Sequence, residues 1–268
     1  MSKATIEATR RDGLLRDEAF PAALEAEWIK IRSVRSTRWL PVVTLLVNVG
    51  LGALLSALVA ADQKKDDGAD YDPLTLVHYG LGIGQLTLMV FAVLAVSGEY
   101  GSGTIGPSLT AVPDRRMFLA AKFTVVAGIA TVVAVPSAVL STLAARALMP
   151  IGHISLTDPL VWRAAFGHAA YLVLLAVLST GVAFWLRTPM AALGLLFPLF
   201  LVGTVLVTAI PGVAELGGFT PESAGRRITH EHAFEDYELA PWIGLLVMAG
   251  WALAGATVGA WKLRNRDT

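Results

Sequence analysis

The sequence predicts an all-α polytopic membrane protein with six transmembrane helices, both termini on the cytoplasmic side, and an interfacial helix before the first span. Three observations predict it. Hydrophobic residues make up 55% of the 268, charged residues only 16%, and the mean hydropathy is +0.62. A soluble domain carries about 25% charged and about 45–50% apolar residues. Next, Asp, Glu, Lys and Arg are absent from six runs of 23 to 27 residues: 39–61, 73–98, 123–145, 164–186, 188–214 and 239–261. About 20 helical residues cross a hydrocarbon core of roughly 30 Å. A helix satisfies its backbone polar groups within its own segment, which lipid requires. Lastly, the basic residues are unevenly divided. Fifteen Lys and Arg lie before the first run, in alternate connectors and after the last run, against six in the remaining connectors. The richer set belongs on the cytoplasmic side.

Each segment then has a reading. Residues 1–21 are polar and expected to form a flexible cytoplasmic tail. Residues 22–38 are helical in pattern, with Leu24, Trp28 and Ile31 on one stripe and Arg35 and Arg38 at its end. That pattern suits a helix lying in the headgroup layer. Residues 39–261 form the transmembrane domain, and the run 39–61 is expected to act as an uncleaved insertion signal. The connector 97–122 is the longest cytoplasmic loop. Its stretch 104–111 is apolar but too short to span, so it needs a cover, either the membrane surface or a partner protein. Pro136 predicts a bend in the third helix, and Pro198 interrupts the fifth. Arg187-Thr188-Pro189 is a tight inner hairpin. Residues 211–240 form the longest outer segment, and 262–268 a basic cytoplasmic tail. Trp39, Trp162, Trp185, Trp242 and Trp261 lie near predicted helix ends, as an interfacial belt requires.

Much chemistry is excluded. There is no cysteine, so thiol catalysis and cysteine-ligated metals are absent. No GxxxxGK[ST], HExxH or GxSxG occurs, so this chain carries no P-loop, zincin helix or nucleophile elbow. The net charge is zero, which leaves no basic field for nucleic acid. The polar residues within the runs, Asn48, Gln85 and His168, either line a pathway or hydrogen-bond between helices. Gly52 with Ser56, and Gly255 with Gly259, are small pairs four apart that let helices approach, within one bundle or at a subunit interface. His230 and His232, with Glu235 and Asp236, offer cation ligands, but their i, i+2 spacing shares no helix face and a solvated acidic loop accounts for them.

Four stretches resemble the membrane subunit of ABC-2 type ABC transporters, particularly the small actinobacterial permeases. They are Glu27-Trp28-Ile29-Lys30-Ile31-Arg32-Ser33, continued by Arg35-Ser36-Thr37; Gly98-Glu99-Tyr100-Gly101-Ser102-Gly103-Thr104-Ile105; Ala111-Val112-Pro113 with Arg115-Arg116 and Ala121-Lys122; and Pro241-Trp242, Gly244 and Trp251 with the closing 261–267. The resemblance implies a six-helix permease subunit of an exporter in a bacterial inner membrane. It implies that this chain is not itself an enzyme. A separate subunit binds ATP and magnesium, and a second permease subunit completes the pathway. The connector would carry a coupling helix that docks on the ATPase through Glu99, Tyr100, Thr104, Ile105, Arg115 and Arg116. Members often have a basic residue after the Gly-Thr-Ile core, where Gly106-Pro107 stands here, so the coupling helix is expected to begin near Pro107. The alternatives are a gradient-driven transporter or channel, and a non-transport intramembrane protein.

Overall fold

The computed structural model describes residues 19–62, 72–112, 114–149, 154–231, 233, 235–236 and 238–265. Most of the expected tail 1–21, the acidic connector 63–71, Pro113, His232 and residues 266–268 of the basic tail lie outside the described residues. All regular structure among the described residues is helical.

Helix α1 covers 19–33, and a bend at Val34 separates it from α2, Arg35–Asp62. The expected interfacial helix 22–38 is therefore shorter at its end, and Arg35 and Arg38 belong to the first turn of α2. The Thr37 hydroxyl closes the corner by donating to the carbonyls of Ile31 at 2.9 Å and Val34 at 3.0 Å. The inward face of α1 also differs from the expected stripe. Ala23, Glu27 and Ile31 are buried, whereas Trp28 is 45% exposed. The face is rotated because Glu27 finds cationic partners inside the bundle.

Helix α2 shows how lipid inverts the usual pattern. Its buried positions are Thr37, Pro41, Thr44, Asn48, Gly52, Ser56 and Ala60, while Trp39, Val42, Leu46, Leu54 and Leu58 point outward. Small and weakly polar residues make the helix contact because lipid tails already satisfy the large apolar ones. Gly52 packs so closely on the backbone of Val77 that an added Cβ would lie 2.5 Å from its carbonyl oxygen. Ser56 turns its hydroxyl back to the Gly52 carbonyl at 2.8 Å.

The short α3, Pro73–Val77, starts with Asp72 accepting from the Leu74 and Thr75 amides. After a turn comes α4, Leu81–Gly101, then α5, Ile105–Ala111, and α6, Arg115–Leu148. Helix α6 continues through Pro136. Helix α7, Pro159–Leu186, is capped by Asp158 and begins with proline, whose missing N–H costs nothing at that position. It is the centre of the bundle, packed against α4, α6 and the last helix. Arg187 closes it in the left-handed region at φ 63, which turns the chain straight into α8, Pro189–Leu201. The tight hairpin read from the sequence is thus present.

The fifth apolar run differs from a single span. Helix α8 ends at Leu201, Val202 leaves helical geometry at φ −128, and α9 resumes over Gly203–Thr208. Pro198 lacks the N–H that would bond the Gly194 carbonyl, which weakens the helix just before the break. Among the described residues, five helical stretches are long and apolar enough to cross a membrane: Arg35–Ala61, Pro73–Gly101 (α3 and α4 together), Arg115–Leu148, Pro159–Leu186 and Pro241–Asn265. The last of these is α11.

Between α9 and α11 the chain folds back into the bundle. A 3₁₀ turn, Ala214–Phe219, leads to α10, Pro221–Arg226, and a second 3₁₀ turn, Arg227–Thr229. Ile228 fills the space over Gly167, and Gly225 lies against the Tyr171 ring. Tyr171 is 12 residues into α7, about 18 Å from its start at 1.5 Å per residue. Irregular backbone is tolerated at such depth only where protein covers it, and Gly217, Gly218, Ala224, Gly225 and Ile228 are buried.

Helices α7 and α11 cross closely. A Cβ on Gly181 would sit 2.3 Å from the Gly255 carbonyl carbon, and one on Gly259 would sit 2.4 Å from the Gly181 carbonyl oxygen. Both glycines of the α11 pair are therefore used within this chain. Gly181→Ala must push backbone apart, with an expected cost of about 1–3 kcal/mol from overpacking. Gly250→Ala on the same α11 meets nothing within 4 Å. Thermal unfolding in detergent should show a lower midpoint for the first and an unchanged or slightly raised one for the second.

Candidate functional site

The end of the bundle where α1 enters and α11 stops holds an ionic cluster. Lys122, seven residues into α6, is 1% exposed. Its ammonium pairs with Glu27 of α1 and Glu99 of α4, and donates to the Ala95 carbonyl at 3.3 Å. Lys30 stands beside it. It pairs with Glu27 at 2.7 Å and Glu99 at 3.3 Å, and donates to the Ser108 hydroxyl of α5 at 2.9 Å. Both ammoniums also lie over the Phe118 ring, at 5.6 and 5.7 Å. Two carboxylates and two ammoniums cancel. A buried charge is tolerated only when it is paired and hydrogen-bonded, and here every pairing crosses between helices except Glu27 with Lys30.

The cluster ties the connector to its surroundings. Helix α5 has no buried residue. Ile105, Leu109 and Val112 pack partly against the core, while Thr104, Pro107, Thr110 and Ala111 are exposed. The helix starts two residues before Pro107, so the proline falls in the first turn, where it breaks no hydrogen bond. Asp114 caps α6 by accepting from the Arg116 amide at 2.9 Å.

The structure therefore separates the residues singled out for docking. Thr104 and Arg116 are exposed, and Ile105 is half-buried. Glu99 points inward to the two lysines. Tyr100 stacks under the Arg187 guanidinium at 5.4 Å, which joins the α4 end to the α7–α8 hairpin. Arg115 donates to the carbonyls of Leu263 at 2.7 Å and Arg264 at 3.2 Å, and so caps the C-terminus of α11. Lys30, Lys122 and Glu27 were not among the predicted site residues. A signal for two of them was present, since Glu27 and Lys30 share a helix face at i, i+3. Lys122 stood immediately outside an apolar run, where a charge reads as an interfacial flank.

Each of Asn48, Gln85 and His168 has a hydrogen-bond partner. Asn48 donates to the Thr44 carbonyl at 2.8 Å, with its amide pressed against Gly84. Gln85 donates to the Gly82 carbonyl at 3.2 Å and accepts from the Tyr171 hydroxyl, joining α4 to α7. His168 meets His78 with their Nδ1 atoms 3.0 Å apart, joining α7 to the turn before α4.

At the opposite end of the bundle, the Glu231 amide donates to Asp72 at 2.9 Å, and Arg163 donates to the His230 carbonyl at 2.6 Å. His232 lies outside the described residues. No group of three His, Asp or Glu suited to a metal occurs among the described residues. Burial, then the Arg226 guanidinium, push the His230 pKa down to about 4, against the pull of Asp72. A lowered histidine pKa means the unfolded segment binds the extra proton more readily. Stability of the 211–240 segment should thus fall as pH drops from about 6.5 to about 4, and level off below that. Limited proteolysis of the detergent-purified protein between pH 7.5 and 4.5 should show this, and His230→Gln should flatten the dependence.

Lys122→Met leaves Glu27 and Glu99 buried with Lys30 alone, and breaking such a set by removing one partner costs about 3–5 kcal/mol. Lys122→Arg keeps the charge. Thermal unfolding of the two variants should show a large drop for the first and a smaller one for the second.

The family model described as ABC-2 family transporter protein matches residues 23–214. That range begins in α1, takes in the whole ionic cluster, and stops at the first 3₁₀ turn, before α11. A comparison with curated proteins finds none that matches. Together with the five membrane-length helices, the match means that this multi-pass membrane chain belongs to the ABC-2 transporter family, as a membrane-domain protein of the permease type.

Proposed function

We propose that this chain is one of two permease subunits of an ABC exporter and is driven by a separate ATP-binding subunit. The observation that carries the reading is the exposed α5, linked through Ser108, Lys30, Glu99 and Lys122 to α1, α4 and α6. A partner that grips α5 would pull on three membrane-associated helices through one ionic cluster. ATP and magnesium would bind on that partner. In this reading Thr104, Ile105 and Arg116 touch the ATPase. Glu99, Tyr100 and Arg115 act as positioning residues that hold the α4, α7–α8 and α11 ends in register.

The orientation follows from charge. The cluster end carries the connectors rich in Lys and Arg, so it belongs at the cytoplasmic face, in keeping with the positive-inside rule. Helices α8 and α9 together supply the sixth crossing. The chain leaves α7 beside Tyr100, at the cluster end, and α11 also finishes at that end beside Arg115. It must therefore climb the bundle between them. Residues 189–208 give about 30 Å at 1.5 Å per residue. The cell membrane of a bacterium is the setting this reading requires.

The test is co-purification of the tagged chain from its native membrane in mild detergent, followed by ATPase assays in vesicles. A stoichiometric soluble ATPase is expected, and its turnover should rise on binding the permease. Arg116→Ala should reduce that stimulation several-fold while leaving the unfolding midpoint of the permease unchanged. Unchanged stimulation removes Arg116 from the docking surface. Transport in vesicles with no ATPase present would replace the whole reading with a gradient-driven carrier.

A further inference from the structure

On the membrane side of α1 lies a groove unrelated to the ionic cluster. Helices α1, α2 and α6 form its walls, and its volume is about 770 Å³. The lining is apolar along its length, with Leu24, Trp28, Ile31, Leu45, Ile129 and Val132 as its larger members. On α6 the lining runs from Thr124 to Val133, about 13 Å along the helix axis. The floor is open. A Cβ on Gly128 would meet nothing within 4 Å.

The mouth of the groove is charged. Arg32 and Arg38 line it from the two sides of the Val34 bend, with Glu25 on the α1 side. These three charges sum to +1. Each arginine is steadied over an exposed tryptophan, Arg32 on Trp28 at 5.8 Å and Arg38 on Trp39 at 5.9 Å. Tryptophan rings favour the headgroup level, which suits a mouth at the membrane interface.

A slot that is apolar inside, cationic at its mouth and open toward the hydrocarbon fits one class of molecule. We propose that the groove between α1, α2 and α6 binds one anionic phospholipid, with an acyl chain along Gly128 and Ile129 and its head group between Arg32 and Arg38. A zwitterionic lipid would leave the net positive charge of the mouth unmatched. The occupied groove would fill the space beneath α1 and so hold in place the helix that supplies Glu27 and Lys30 to the cluster. The inference rests on α1 lying at the membrane surface, and not on the partner ATPase.

The test uses the full chain reconstituted in vesicles of equal parts phosphatidylcholine and phosphatidylglycerol, re-extracted in mild detergent, with retained lipid counted by native mass spectrometry. Wild type should retain one phosphatidylglycerol per chain in preference to phosphatidylcholine. Surface attraction of an anionic lipid is worth about five-fold in affinity per arginine, so Arg32→Gln with Arg38→Gln should lower retention by about twenty-five-fold. Gly128→Leu keeps both arginines and adds bulk to the open floor, where a Cβ meets nothing within 4 Å, and it too should abolish retention. Leu246→Trp on the outward face of α11 should change nothing. Wild-type retention in the double arginine variant or in Gly128→Leu would overturn the proposal. So would efficient bis-maleimide cross-linking of Gly128→Cys chains to one another, since a second copy would then cover the groove. The chain has no other cysteine, so that signal has one source. Loss of ATPase stimulation with lipid retention intact would count against the permease reading and leave this one standing.

Discussion

The buried ammonium of Lys122 sets the arrangement of one whole end of this protein. A charge at 1% exposure cannot be left alone. Two carboxylates pair with it, one from α4 and one from α1, and that brings two separate elements onto α6. The second lysine, Lys30, balances the extra carboxylate and reaches α5 through Ser108. The inward rotation of α1, the seating of the connector and the outward turn of Trp28 all follow from placing Glu27 where those lysines are.

A different constraint governs the bundle. Lipid removes the advantage of burying large apolar side chains, so the helices meet through what packs closely. Helix α2 turns Thr44, Asn48, Gly52 and Ser56 inward, and α7 and α11 meet backbone to backbone at Gly181, Gly255 and Gly259. Among the hydrogen bonds between spans, Tyr171 to Gln85 and His78 to His168 join α7 to α4 and its preceding turn, and Thr44 to Thr87 joins α2 to α4. Two of the three pathway candidates, Gln85 and His168, supply the first two, while Asn48 bonds within its own helix. The 211–240 segment uses the same economy of space, since Gly225 and Gly167 let a short helix and Ile228 settle among the spans.

The docking candidates illustrate what a motif conveys. The Gly98–Ile105 stretch resembles a connector, and a short exposed helix is indeed there. The resemblance treats its charged and aromatic members alike, yet they divide. Glu99 and Tyr100 fall on the last turns of α4 and face its neighbours, while Thr104 lies past the turn and faces solvent. Arg115 and Arg116 are adjacent in sequence but about 100° apart around α6, so one meets the end of α11 and the other is free to face outward. Which of two neighbours points at a partner depends on helix phase relative to other helices, and no local pattern carries that.

The sequence by itself determined that the chain is helical and membrane-embedded, where five of its long helices lie, and where the Arg187 hairpin falls. These are local quantities: the length of an uncharged run against a fixed bilayer thickness, a proline at a helix start, a cap. Tertiary structure alone decided that Lys122 is buried rather than flanking, that α1 turns Glu27 inward, and that Ile228 settles over Gly167. Each of those depends on a partner far away in the chain, 95 residues from Glu27 to Lys122 and 61 from Gly167 to Ile228. A lone charge or glycine has no preferred environment until the opposite charge or the intruding side chain is brought to it.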